Sequence, residues 1–88
     1  MINNYIKRHN ITTRVIDMFI YYHMIDVDEA LEMEQVISKR LKTDIVFVET
    51  LAQCFQKKLK KNVKNNDLRI NLISLIHDLN YLKQFIDG

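Results

Sequence analysis

Towards the C-terminal end of the chain, Leu68, Leu72, Leu75, Leu79, Leu82 and Ile86 recur at alternating spacings of four and three. That alternation follows one face of a helix and forms a seam along which it can lie against other helices. Three further segments share the period. Ile11, Val15, Met18, Tyr22 and Ile25 make one stripe and Ile16, Phe19 and Ile20 another, which predicts a helix capped by Thr12 or Thr13 and reaching about Met24. Val27, Ala30, Leu31, Ile37 and Leu41 trace a second helix to about Lys42, opened by Asp26 and Glu29 at the spacing of an acidic capping box. Ile45, Val48, Ala52, Phe55 and Leu59 trace a third, started by Thr43 and Asp44. After a polar break over 62–66, Asn66 and Asp67 start the fourth, which runs to about Phe85. Residues 1–11 read as a loosely ordered arm or an extra N-terminal helical turn packed through Ile2, Tyr5 and Ile6.

The pattern therefore predicts an all-α fold: one domain over 1–88, a small four-helix bundle-like, up-and-down arrangement with short connections. Proline is absent and the only glycine is Gly88, so nothing in the interior readily supplies the positive backbone angles of tight strand hairpins. The turn near Thr43 is so short that the helices on either side must be antiparallel neighbours or cross steeply.

Composition narrows the class. With 48% hydrophobic and 27% charged residues the chain has the makings of a folded domain, not a disordered one. One cysteine, Cys54, allows no intramolecular disulfide, and no charged-then-apolar leader is evident, so the expected location is cytoplasmic. The longest apolar runs, such as 18–22, fall far short of the ~20 residues a bilayer requires, so no membrane role is expected. Heavy use of Ile, Asn and Lys suits an AT-rich gene of the phage or plasmid kind.

Net charge is only +2, yet it is segregated. Asp26, Asp28, Glu29, Glu32 and Glu34 open the second helix, while Lys57, Lys58, Lys60, Lys61 and Lys64 close the third. An antiparallel hairpin about Thr43 would set Glu29 level with Lys57 or Lys58, so that the clusters neutralise each other. Each cluster also complements the dipole at its helix end. The sharper alternative makes the lysine run a phosphate-binding patch for nucleic acid or anionic lipid. Against it, the run contains no arginine for base edges and no interleaved aromatic for stacking.

Between Gln35 and Leu51, Ile37, Leu41, Val48 and Leu51 occupy apolar positions and Ser38 a small-residue position in a spacing that resembles the helix-turn-helix of DNA-binding regulators. The resemblance implies duplex binding, with Lys39, Arg40, Lys42 and the lysine run on phosphates. The sequence departs from the pattern at Lys42, where glycine is usual, and at Asp44, Ile45, Phe47, Glu49 and Thr50, where base reading calls for Arg, Lys, Asn or Gln.

Candidate chemistry is sparse. His9, His23 and His77 share no helical face and lie far in sequence from Cys54, so no zinc site is expected. Asp26 and Asp28 read as cap and dipole partner. His77 and Asp78 are adjacent, about 100° apart around a helix, which does not make a proton relay. Cys54 reads as a small buried hydrophobe. No glycine-rich phosphate loop occurs, and no enzyme activity, cofactor or small-molecule substrate is expected.

The apolar content nevertheless exceeds what four short helices can bury, because a domain of 88 residues hides only about 60–65% of its unfolded surface. Ile20, Met24, Ile45 and Phe85 lie off the main seams, as do Tyr21, Phe47, Ile70, Ile73 and Tyr81, the interface candidates. The expected function is that of a non-enzymatic regulator, adaptor, inhibitor or co-chaperone that packs helix on helix with a second copy or a larger protein. The alternative is the DNA-binding regulator.

Overall fold

The computed structural model describes residues 2–86, with side chains from Ile11 onward. Four helices follow one another, α1 (Ile2–Tyr21), α2 (Val27–Thr43), α3 (Ile45–Lys60) and α4 (Asn66–Leu82), and a 3-10 turn (Lys83–Phe85) extends the last. The domain is all-α. No strand occurs among the described residues.

α1 is continuous, and no cap interrupts it at Thr12 or Thr13. Thr12 is fully buried in mid-helix beside Ile11 and Val15. Packing of that face outweighs the modest capping preference of threonine. The expected contacts of Ile2, Tyr5 and Ile6 lie outside the described side chains. At its other end α1 stops at Tyr21, short of Met24. His23 N–H donates to the Ile20 carbonyl at 3.0 Å and Met24 N–H to the Phe19 carbonyl at 2.8 Å, with His23 at φ 57°. This is a Schellman close with histidine where glycine is favoured, so a residue with a Cβ takes up the left-handed angle.

The other starts follow local chemistry. The Glu29 carboxylate accepts the Asp26 N–H at 3.1 Å, which makes the capping box that opens α2. Asp44 alone separates α2 from α3. Its N–H donates to the Arg40 carbonyl at 2.9 Å, and its carboxylate accepts the Phe47 N–H at 3.0 Å. Asn65, one residue ahead of the expected position, caps α4 by accepting the Leu68 N–H at 3.1 Å.

Consecutive helices pack mainly in pairs, α1 with α2 and α3 with α4, and α4 also rests on α1. The contact between α2 and α3 is much smaller than that between α3 and α4. Two helices of such length lying side by side would touch along many turns, so the limited contact fits a crossing at Asp44, not a hairpin. Val15, Leu41, Val48, Phe55, Leu72, Leu75 and Leu79 meet in the interior with no exposed surface. Phe19 and Phe55 join the pairs with ring centroids 6.2 Å apart. The leucine ladder is thus the inner face of α4, each buried rung contributing about 1.5–3 kcal/mol of apolar burial.

One stripe is corrected. Val27 and Leu31 are 70% and 79% exposed, and the packed face of α2 is instead Ala30, Met33, Ile37 and Leu41. Both sets have helical spacing. Only the contact with α1 selects between them.

Candidate interaction surfaces

On α4, successive residues turn by about 100°, so Ile70, Ile73, His77 and Tyr81 fall within a single arc of roughly 80° opposite the leucine ladder. All four are exposed: Ile70 keeps 54%, Ile73 49% and Tyr81 38% of its surface in solvent. Phe85 in the 3-10 turn continues the face, its ring edge-on to Tyr81 with centroids 5.2 Å apart. One border of this face is held by α1. The Arg14 guanidinium donates to the Asp78 carboxylate at 2.7 Å and to the Ser74 hydroxyl at 3.0 Å, tying α1 to α4 with a partly buried ion pair. His77 Nδ1 lies 3.7 Å from the other Asp78 oxygen, too far for a hydrogen bond, and the pair makes no relay.

The remaining interface candidates sit elsewhere. Phe47 is half-buried against the core beneath Arg40, whose guanidinium lies 5.4 Å from the ring centroid. It is therefore only partly open to solvent: the one-residue link at Asp44 brings the first turn of α3 beside the last turn of α2. Ile20 and Ile45 are likewise half-buried against the core. Tyr21 is 54% exposed, but beside Tyr22 and the lysines, away from the outer face of α4.

There, an open cleft of about 510 Å³ lies between the end of α1 and the connection from α3 to α4, reaching Leu68 at the start of α4. Tyr21, Tyr22, Lys58, Lys61, Lys64 and Leu68 are among its walls. The Tyr21 and Tyr22 rings meet edge to face at 5.0 Å, and the Lys58 ammonium sits 4.8 Å from the Tyr22 centroid, within cation–π range. Burial above all, then Tyr21 and Cys54, pushes the Tyr22 phenol above its ordinary value, so it is neutral at pH 7. Sequence spacing missed this grouping, because the aromatics come from the end of α1 and the lysines from the end of α3 and the loop beyond it. Cys54 is half-buried, and not the interior residue expected.

Among the described residues no ion pair joins the acids at the start of α2 to the lysines of 57–64. The hairpin that would have brought them level does not form, since α2 pairs with α1 and α3 with α4. Placement at the helix ends does hold: Asp28 and Glu29 occupy the first turn of α2, and Lys57, Lys58 and Lys60 the last turn of α3.

In the helix-turn-helix-like segment, Ile37, Leu41, Val48 and Leu51 are buried as the resemblance implies. The turn is a single residue, and Lys42, where glycine is usual, lies inside α2. Lys39, Arg40 and Lys42 are exposed near the start of α3, whereas Lys57, Lys58, Lys60, Lys61 and Lys64 lie at or beyond its end. The two basic groups are thus separated by roughly 20 Å along the helix axis. A second open hollow of about 440 Å³, lined by Glu49, Gln53, Gln56, Asn80 and Lys83 over Ala52 and Ile76, gathers amides and one ion of each sign. No group of three or more His, Cys, Asp or Glu able to hold a metal occurs among the described residues, and no helix there is long and apolar enough to cross a membrane.

Comparison of the chain with protein-family models, with curated proteins and with solved structures finds no match.

Proposed function

We propose that the protein is a small, non-enzymatic regulator or adaptor of the helix-packing kind, and that the outer face of α4 binds a second copy of the chain. The observation that carries this reading is the row Ile70, Ile73, Tyr81 and Phe85, exposed along about 22 Å of one helix whose opposite face is the core. The row is suited to pairing with itself. Its first half is aliphatic and its second aromatic, so a two-fold axis near residue 77 lays Ile73 against the partner's Tyr81 and brings the aliphatic end of each helix onto the aromatic end of the other. A stable dimer buries about 800 Å² per chain, roughly an eighth of the 6234 Å² this chain exposes. One helix face plus its borders supplies an area of that order.

Size exclusion with light scattering over a tenfold concentration range tests the proposal. The expected species is a dimer, twice 10.6 kDa, which Ile73→Glu converts to a monomer of unchanged helical content by circular dichroism. A wild-type protein that stays at 10.6 kDa throughout overturns self-association and leaves the face to a different protein.

A further inference from the structure

We infer that the cleft between the end of α1 and the α3–α4 connection is a binding site for single-stranded nucleic acid, with a base stacked on Tyr21 and the sugar–phosphate backbone on Lys58, Lys61 and Lys64. The dipole of α3 accounts for lysines in its last turn, Lys57, Lys58 and Lys60. It does not account for Lys64, which lies three residues past the C-cap Lys61 and lines the cleft with Lys58 and Lys61. In a chain with 11 acidic residues, no carboxylate is among the lining residues. Three cations around an opening free of acids make a local positive field far stronger than the net charge of +2 suggests.

The aromatic wall selects the form of the polyanion. Tyr22 is backed by the protein and capped by Lys58, and it holds Tyr21 edge-on while about half of Tyr21 remains open to solvent. A base can stack on such a ring only when it is free of a duplex, and cationic grooves with aromatic platforms are the recurring device for single strands. The absence of arginine from the lining leaves no bidentate reader of base edges, so binding tolerates sequence. The site is independent of the outer face of α4 and stands or falls separately from dimerisation.

Fluorescence anisotropy with a labelled 12-nucleotide oligothymidine, and with a 12-base-pair duplex as comparison, tests the assignment in the full chain. Saturable binding to the single strand in low salt is expected, weakening with salt at a logarithmic slope near −2 for three phosphates. Tyr21→Ala weakens it by about 5- to 150-fold and Tyr21→Phe restores it. Lys58→Gln with Lys61→Gln lowers affinity at least tenfold, while Lys57→Gln with Lys60→Gln, the same charge removed outside the cleft, has a much smaller effect. Absence of saturable binding, a preference for the duplex, indifference to Tyr21→Ala, or equal loss from the two lysine pairs each overturns the proposal, the last three by showing attraction of a polyanion to bare charge.

Discussion

On α4, Leu72, Leu75 and Leu79 have no exposed surface, while Ile70 and Ile73, of equal hydrophobicity and only a residue or two away in sequence, keep about half of theirs. Hydrophobicity does not separate the two sets, and continuity does. The inner set repeats without a gap from Leu68 to Ile86 and so offers α1 and α3 a ridge along every turn, whereas the outer set is interrupted by His77 and bordered by Ser74 and Asp78. Tertiary packing takes the longer stripe. What is left over stays exposed to solvent.

Paired substitutions on the two faces sharpen that contrast, beginning with the largest effect. Leu79→Ala removes atoms from a site with no exposed surface and lowers unfolding free energy by about 2–5 kcal/mol in urea titration. Its outer counterpart Ile73→Ala, measured below the association range, changes stability by less than about 0.5 kcal/mol. A loss above about 2 kcal/mol at Ile73 in the monomer breaks the comparison, because it requires that residue to be interior. Arg14→Met probes the border between the faces. It leaves the Asp78 carboxylate without its 2.7 Å partner and is expected to cost about 1–2 kcal/mol, most of it recovered in the double variant with Asp78→Asn.

His23→Gly touches neither face and runs the other way. Glycine meets no Cβ clash at φ 57°, so the change stabilises the close of α1 by up to about 1 kcal/mol, read as a higher melting temperature with unaltered oligomeric state. The smallest effect concerns alkaline pH. The Tyr22 pKa is raised in the folded state, so above the ordinary tyrosine value the unfolded chain gives up this proton first, and stability falls as pH rises through the folded pKa. Absorbance titration near 295 nm should show one tyrosine ionising late, a component that disappears in Tyr22→Phe.

Much of the fold was legible because helix starts and seams are local. The Asp26–Glu29 box, the Asp44 cap and the ladder from Leu68 to Ile86 each follow from residues three or four apart. Among the interface candidates, Ile70, Ile73 and Tyr81 are exposed and share the outer face of α4. Phe47 is half-buried, because it packs on the core and beneath Arg40 across the bend at Asp44, a contact that spacing alone does not show. Val27 and Leu31 were misread because two stripes on α2 satisfy the same period. The cleft was invisible, since nothing in the spacing of Tyr21 and Tyr22 relates them to Lys58, Lys61 and Lys64.

By itself the sequence determined that this chain is helical, where three of its four helices begin, and which face of the last is the core, because capping and periodicity act within a turn or two of backbone. Only the tertiary structure decided that α2 meets α3 mainly near their junction, that no ion pair joins the acidic and basic clusters among the described residues, and that two tyrosines at the end of α1 stand beside lysines at and beyond the end of α3. Those are choices among partners of similar chemistry, and the free energy that decides them lies in the shared packing of whole helix faces.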